Sequence, residues 1–306
     1  MIDIAYLEKI KLVNYPRIQK LIALLVLTPN YKWFQKVDIQ IEGLERIPKN
    51  RNVIFAMNHT DRFNYWPLQY RLNELGGYPY TTVWVKGKYY RNKTLAKVLD
   101  LCNLIPVPSM KYLIEEFFAC RFGRRMSREE YRAVKDLVDG NPELNGENLQ
   151  RAAEIADQIH ENFIEFIKTY YTRVMDRVAE LSRLALFEKK LNLIIFPEGT
   201  RSTRLLKGRT GLAQLALNTE TPVIPIGCNN CEQIYPGSSP FAKSGRVVYR
   251  VGSPLSVDGE LKRFRIPERF KLFSDDSKVR YKEKFESVTR IFMERINDLL
   301  DERYRR

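Results

Sequence analysis

Residues 191–202, with the sequence LNLIIFPEGTRS, join a short apolar run to a turn that carries three polar side-chain types. Branched aliphatic residues dominate the apolar run and its flanks are polar, which is typical of a buried strand. Pro197 and Gly199 end the strand and predict a turn. A carboxylate, a hydroxyl and a guanidinium therefore stand together at a strand end, where proteins often display functional groups.

A second apolar run has the same organisation. Residues 52–57 predict a buried strand, which ends in the sequence NHTDRFN of residues 58–64. The chain has only two histidines, and one of them, His59, lies in this turn beside a carboxylate. An isolated histidine at a strand end is more often structural, but histidine is also the side chain best suited to proton transfer near neutral pH. The second polar turn favours the functional interpretation.

The charge of the chain indicates an anionic partner. Its 306 residues carry 51 Lys and Arg against 37 Asp and Glu, a net charge of +14. Nucleic acid, an anionic membrane surface and phosphate-bearing substrates all fit that charge. The sequence has no zinc finger, RNP block or P-loop, so we rank nucleic acid last and expect no nucleic-acid partner.

The four cysteines do not predict a disulfide framework. Cys228 and Cys231 have CxxC spacing, but the chain offers no second pair of ligands at zinc spacing. The motif also comes late in the chain, unlike a thioredoxin-type motif. We therefore expect ordinary intracellular thiols and no metal.

Strand and helix patterns alternate along the chain and predict an α/β protein, with a mixed sheet flanked by helices. No boundary divides the chain convincingly, so residues 1–306 are interpreted as a single domain. Apolar residues at helical spacing, from 155 to 181, indicate that much of 112–190 is helical. Residues 141–146 would break it into two parts. The predicted strands are residues 37–41, 52–57, 81–85, 104–107, 191–195, 222–227 and 247–252.

The first 35 residues contain a fully apolar run, 21–27, which is too short to span a bilayer. Lys20, Lys32, Trp33 and Phe34 flank it. These flanks favour a helix in a membrane interface, although a helix packed on the protein's own core fits the length equally well. No signal peptide is expected.

Three of these segments resemble the glycerolipid acyltransferase family, of the lysophosphatidic acid acyltransferase type. They are Asn58-His59, the FPEGTRS block of residues 196–202 and the PVIPIG strand of residues 222–227. Residues 85–88 and 104–107 give a weaker match to the family's middle block, and the resemblance covers about residues 36–255. The two main motifs lie further apart than the family usually shows, so much of residues 112–190 is interpreted as a helical insertion. The insertion would serve either as a lid over an acyl groove or as a structural elaboration. The resemblance as a whole has further implications. It implies a glycerolipid acyltransferase fold and transfer of a fatty acyl group from acyl-CoA or acyl-carrier protein to lysophosphatidic acid. It also implies phospholipid biosynthesis at the cytoplasmic face of a membrane, by a peripheral or monotopic protein that needs no cofactor.

The resemblance also assigns site residues. His59 would be the general base, and the acid that the family carries five positions later is replaced by Asn64, so that either Asn64 or Asp61 would assist it. The residues assigned to the acceptor are Glu198, Gly199, Thr200 and Arg201. The middle-block arginine falls close to Ser109, so the missing charge would come from Lys111, or from Arg204 and Lys207.

Two other functions stay open from the sequence. The first is an acyltransferase of the same fold with a different acceptor, which the changes at Asn64 and Ser109 favour. The second is a non-catalytic lipid-binding protein at a membrane surface. Retention of His59 and of the whole turn block favours an enzyme.

Overall fold

The computed structural model describes residues 2–141 and 145–306, so part of the break expected at 141–146 lies outside the described residues. The chain forms two compact units. The first comprises Met1–Ile10, Val85–Lys97 and Pro106–Val178, as far as these are described, and the second comprises Lys11–Trp84, Val98–Ile105 and Ala179–Arg306. The prediction of one domain over residues 1–306 stays a prediction.

The strands form a seven-stranded sheet in the order β1-β7-β6-β2-β5-β3-β4. Strands β6 and β7 are antiparallel, whereas β1 with β7, β2 with β5, β2 with β6, and β3 with β5 are parallel. The predicted mixed sheet is therefore confirmed. The strands are β1 (Val37–Glu42), β2 (Ile54–Met57), β3 (Thr81–Lys86), β4 (Ile105–Val107), β5 (Asn192–Ile195), β6 (Val223–Asn229) and β7 (Gly245–Val251).

The central strands are those that the sequence shows as unbroken apolar runs. Every residue of β2, β5 and β6 is buried, because neighbouring strands and covering layers enclose both faces. Strand β4 lies at the edge of the sheet, where the missing N–H of Pro106 is tolerated, as its sequence predicts.

Helices flank the sheet as predicted. The α-helices of the described residues are α1 (Ile4–Lys9), α2 (Arg17–Ile22), α3 (Trp66–Leu75), α4 (Lys93–Leu101), α5 (Met110–Phe122), α6 (Arg128–Asp139), α7 (Gly146–Ile159), α8 (Phe163–Arg183), α9 (Gly211–Thr219), α10 (Cys231–Ile234), α11 (Asp275–Arg280) and α12 (Lys282–Asp298). One face of α12 is buried, and the helix packs on β6 and α9. Gly227 permits the chain beyond α12 to approach β6, because a Cβ at that position would lie 2.5 Å from the Leu299 carbonyl oxygen.

Helices α5, α6 and α7 pack together in the first unit. Most of α8 belongs to the same unit. In the described part of residues 112–190, the expected break falls between α6, which ends at Asp139, and α7, which begins at Gly146, and each of the two parts contains two α-helices. The apolar period runs unbroken from α7 into α8 and conceals the break between them. There the backbone of Asn162 adopts a left-handed conformation, with φ of 52°. That this region is an insertion or a lid stays a prediction.

The N-terminal apolar run is helical but irregular. Helix α2 continues into wider π-helical turns at Ala23–Leu27 and Pro29–Phe34. Several large side chains of residues 21–34 face solvent, including Trp33 and Phe34, which are 73% and 76% exposed. Within residues 2–141 and 145–306, no helix is long and apolar enough to cross a membrane. The interfacial role of residues 1–35 stays a prediction.

Candidate active site

The two polar turns lie next to each other because their strands are neighbours. Strands β2 and β5 are parallel, and Ala56 pairs with Ile195 at the carboxyl ends of both strands. The turn that carries His59 therefore leaves the sheet beside the turn that carries Glu198. This edge of a parallel sheet is a common position for functional groups.

A buried carboxylate connects the two turns. One oxygen of Glu198 accepts a hydrogen bond from the His59 backbone N–H at 2.8 Å, and the other accepts one from the Leu206 N–H at 2.8 Å. The Ser202 N–H donates to the His59 carbonyl oxygen at 2.9 Å. Burial raises the pKa of Glu198 to about 7, against the lowering effect of these two N–H donors. In the structure the Glu198 carboxylate holds the backbone of His59 and Leu206. The acceptor-binding role of Glu198 stays a prediction.

The His59 side chain lies against Asn64, five residues later. Its Nδ1 is 3.3 Å from the Asn64 amide oxygen, and its ring stacks on Phe196 with centroids 4.2 Å apart. The Asn64 amide nitrogen donates to the Asn58 carbonyl oxygen at 2.7 Å, which turns the amide oxygen toward the ring. Because an amide oxygen only accepts, this contact places the proton on Nδ1 and makes Nε2 the unprotonated nitrogen of the ring.

Asn64 is itself held rigidly. It is completely buried, and its backbone carbonyl accepts the Tyr249 hydroxyl at 2.7 Å. The Asn58 side chain makes two hydrogen bonds to the backbone of Cys228, from its amide nitrogen at 2.9 Å and to its amide oxygen at 2.7 Å. Strand β6 thus fixes the loop that orients the imidazole.

Asp61, the other predicted partner of His59, shapes the turn. Its carboxylate accepts the Phe63 N–H at 2.8 Å and the Thr60 hydroxyl at 3.0 Å, and it is hydrogen-bonded to the Cys231 thiol. Burial raises the pKa of Asp61 to about 6, despite these donors. Assistance to His59 by Asp61 stays a prediction, whereas Asn64 has the geometry that such a role requires.

The remaining turn residues lie at the surface. Thr200 and Arg201 are exposed, and Gly199 has a left-handed backbone, with φ of 64°. The site also includes Arg209, which the sequence patterns did not single out. The Arg209 side chain contacts Gly199, since a Cβ at Gly199 would lie 3.0 Å from the Arg209 Nε. The backbone N–H of Arg209 donates to the Pro197 carbonyl oxygen at 2.8 Å.

Arg201 and Arg209 are exposed cations. Within the described ranges 2–141 and 145–306, neither forms an ion pair, and the same is true of Arg204 and Lys207. Arginine presents a planar fork of donors suited to a phosphate. Four exposed cationic side chains thus follow, within eleven residues, the Glu198 carboxylate that holds the His59 backbone.

Lys111 belongs to the first unit, on α5. Its ammonium lies 3.7 Å from a Glu115 carboxylate oxygen and 4.4 Å from the centroid of the Tyr131 ring. Ser109, at the position where the family's middle-block arginine was expected, caps the same helix by accepting the Tyr112 N–H at 3.2 Å. The acceptor-binding role of Lys111 stays a prediction.

Cys228 and Cys231 are both buried, and neither forms a disulfide. Burial raises the pKa of Cys231 well above its ordinary value. Among the residues that the structure describes, no group of three or more His, Cys, Asp and Glu side chains is arranged to hold a metal ion.

The contacts of Asn64 predict the effect of Asn64→Asp. A carboxylate there would place an oxygen against the Asn58 carbonyl, in a position without solvent. We expect the free energy of unfolding at pH 8 to fall by about 1–3 kcal/mol, because a buried acceptor loses its donor. We also expect the rate of acyl transfer to be no higher than that of the wild type, although the change restores the acid that the family carries at this position. Chemical denaturation checks the stability.

Asn50→Asp is the matched control, since Asn50 is exposed. A variant Asn64→Asp that is as stable as Asn50→Asp and faster than wild type would contradict this account. That result would mean that the site works better with a carboxylate at position 64 than with the amide.

Comparisons with known proteins agree with the resemblance in the motifs. A model of the acyltransferase family matches residues 38–229, well over half of the chain. A 1-acyl-sn-glycerol-3-phosphate acyltransferase from Cocos nucifera is 33% identical over 86 residues, which are 28% of this chain. The match also spans only 28% of that relative's length.

A solved structure, the 1-acyl-sn-glycerophosphate (LPA) acyltransferase PlsC from Thermotoga maritima, is 17% identical with a TM-score of 0.40. The match covers 94% of this chain and 79% of that chain. The family match takes in both polar turns, because it extends from within β1 to the end of β6. The chain therefore belongs to the acyltransferase family.

Proposed function

We propose that this protein is an O-acyltransferase that moves a fatty acyl group from a thioester to the free hydroxyl of lysophosphatidic acid, which gives phosphatidic acid. The donor would be acyl-CoA or acyl-carrier protein. The observation that carries the proposal is the contact between the His59 Nδ1 and the Asn64 amide oxygen, beside the turn that carries the exposed Arg201.

In the proposed reaction, His59 Nε2 takes the proton of the acceptor hydroxyl as its oxygen attacks the thioester carbonyl carbon. The tetrahedral intermediate then collapses, the carbon–sulfur bond breaks, and the imidazolium returns the proton to the leaving thiolate. Asn64 would hold the Nδ1–H and the ring orientation, but its neutral amide adds no charge to stabilise the imidazolium. Proximity of the two substrates would supply a large part of the remaining acceleration.

The acceptor phosphate would lie near Gly199. Arg201 is the cation that the family resemblance assigns to it, and Arg209 is the cation whose side chain contacts Gly199. The net charge of +14 also fits a phosphate-bearing substrate and an anionic membrane surface. We propose peripheral or monotopic attachment to the cytoplasmic face of a membrane and a role in phospholipid biosynthesis, without a cofactor.

The test is identification of the product by mass spectrometry. Purified protein is incubated with acyl-CoA or acyl-carrier protein and with lysophosphatidic acid, and the expected product is phosphatidic acid. Other lysophospholipids and monoacylglycerol serve as competing acceptors. Acylation of one of these in preference to lysophosphatidic acid would favour the second candidate, a different acceptor, to which Asn64 and Ser109 point. No product from any pair would favour a lipid-binding role.

Arg209→Ala should weaken the binding of the phosphate specifically. We expect KM for lysophosphatidic acid to rise roughly ten- to a hundredfold, because a charge-assisted hydrogen bond is lost. KM for the acyl donor should change little. Steady-state kinetics with both substrates varied checks this expectation.

Arg51→Ala is the matched control for net charge, since Arg51 is exposed and precedes β2, at the opposite end of that strand from His59. Monoacylglycerol, which lacks the phosphate, should be used equally by Arg209→Ala and wild type if it is used at all. An unchanged KM for lysophosphatidic acid in Arg209→Ala would remove Arg209 from the acceptor site.

A further inference from the structure

A loop late in the chain carries an aromatic side chain in an unusual position. Phe241 is 68% exposed, whereas the next residue, the small Ala242, is only 4% exposed. Burial normally favours the larger apolar side chain, so this loop has the reverse of the expected arrangement. The loop, defined here as residues 236–244, also lies beyond the family match, which ends at residue 229.

The N-terminal segment, defined here as residues 21–36, holds this loop in place. The buried Asn30 side chain accepts the Ala242 N–H at 3.2 Å and donates to the Pro240 carbonyl at 3.5 Å, so it grips the backbone on both sides of Phe241. Ser244 donates two hydrogen bonds to the Gln35 side chain, at 3.0 and 2.8 Å. The ring is therefore presented outward by a fixed backbone.

The same N-terminal segment carries further exposed apolar side chains. Trp33 and Phe34 are among the most exposed large apolar residues of the protein, and Leu24 and Leu25 are each 62% exposed. The Lys36 N–H donates to the Ser244 hydroxyl at 3.2 Å, and the Lys36 carbonyl accepts the Gly245 N–H at 3.0 Å. Hydrogen bonds thus join the loop to the segment, so the exposed residues of both lie on neighbouring parts of the surface.

Cations accompany the aromatic residues on both parts of this surface. Lys36 follows Trp33 and Phe34, and Lys243 follows Phe241. Both lysines are exposed, and neither forms an ion pair within the part of the chain that the structure describes. Exposed aromatic rings next to unpaired lysines are suited to the interface of an anionic bilayer, where the ring enters the headgroup region and the ammonium contacts lipid phosphates.

We propose that loop 236–244 is a second membrane-contacting element, in which Phe241 inserts into an anionic phospholipid surface and Lys243 binds headgroup phosphates. It acts together with residues 21–36. The proposal rests on the membrane partner of the proposed function and adds a contact outside the N-terminal segment. It requires no conformational change, because the ring is already exposed.

The test is sedimentation with vesicles made of equal parts of phosphatidylcholine and phosphatidylglycerol, and with phosphatidylcholine alone. Phe241→Ser should reduce partitioning to the anionic vesicles roughly ten- to a hundredfold, because one buried aromatic side chain is lost. Lys243→Gln should weaken binding to the anionic vesicles only. Val279→Ser is the matched control, since Val279 is 79% exposed on α11, outside this surface, and it should bind as wild type does.

Two results would overturn the proposal. One is equal vesicle binding by Phe241→Ser and wild type. The other is a wild-type dimer that Phe241→Ser converts to a monomer without a change in vesicle binding, which would make this surface an interface between copies. Activity on monomeric, short-chain lysophosphatidic acid should be the same in Phe241→Ser and wild type. Absence of that activity from the wild type, with vesicle binding intact, would contradict the proposed function and leave this inference standing.

Discussion

His59→Ala is expected to lower kcat/KM for acyl transfer by about a hundred- to ten-thousandfold, the range that a positioned general base contributes. The imidazole is held between the Phe196 ring and the Asn64 amide, so its removal leaves no other side chain in that orientation. KM for both substrates should change little, because the base acts on the reacting hydroxyl. Thiol release from acyl-CoA, measured with saturating lysophosphatidic acid, checks this prediction.

His160→Ala is the matched control, because His160 is the other histidine and lies between α7 and α8. It should retain wild-type kcat. Circular dichroism of both variants verifies that the fold is intact. Comparable losses in His59→Ala and His160→Ala would contradict the assignment of the base to His59.

Glu198→Gln is expected to reduce kcat by roughly ten- to a hundredfold, because small displacements of a catalytic group have effects of that size. The carboxylate accepts N–H groups with both oxygens, and glutamine can replace only one of them. Its NH₂ group would face the second N–H, either that of His59 or that of Leu206. KM for lysophosphatidic acid should stay within a few-fold, which separates positioning of His59 from direct binding of the acceptor.

Glu45→Gln is the control, since the Glu45 side chain is 76% exposed. It should leave kcat unchanged. A large rise in KM with unchanged kcat in Glu198→Gln would instead support the acceptor-binding role that the family resemblance assigns to Glu198.

The pKa of Glu198 also predicts how stability depends on pH. Burial raises this pKa from 4.5 to about 7, so folding favours the protonated carboxyl. Its contribution to stability is therefore fully present below pH 4.5 and is lost as the pH rises through about 7. The stability of the wild type relative to Glu198→Gln should thus decrease between these values. Denaturation of both proteins across this pH range measures the difference, and a constant difference would contradict the raised pKa.

Much of the fold could be predicted because its central strands are unbroken apolar runs. Residues 52–57 and 191–195 are typical of buried strands at that length, and a parallel pairing brings the turns that follow them together. The break at Asn162 could not be predicted, because the apolar period continues through it from α7 into α8. The periodicity reports which face is buried and not whether the backbone is continuous.

The site was predictable by residue type more than by contact. His59 was singled out by its place at a strand end and Asn64 by the family resemblance, and the structure places the His59 Nδ1 3.3 Å from the Asn64 amide oxygen. The sequence could not show that the Glu198 carboxylate accepts the N–H of His59, because this bond joins positions distant in the chain through backbone atoms. Arg209 escaped notice for a similar reason, since its relation to Gly199 depends on the path of the turn between them.

The most direct test of the account is single-turnover thiol release from acyl-CoA, with excess enzyme, in the presence and absence of lysophosphatidic acid. The account predicts rapid release by the wild type only when lysophosphatidic acid is present, with one phosphatidic acid formed per thiol, and a strongly slowed release by His59→Ala. The role of His59 as the base that activates the acceptor hydroxyl would be contradicted by either of two results. One is thiol release at the same rate in the wild type and His59→Ala, and the other is release by the wild type at a rate that does not depend on lysophosphatidic acid.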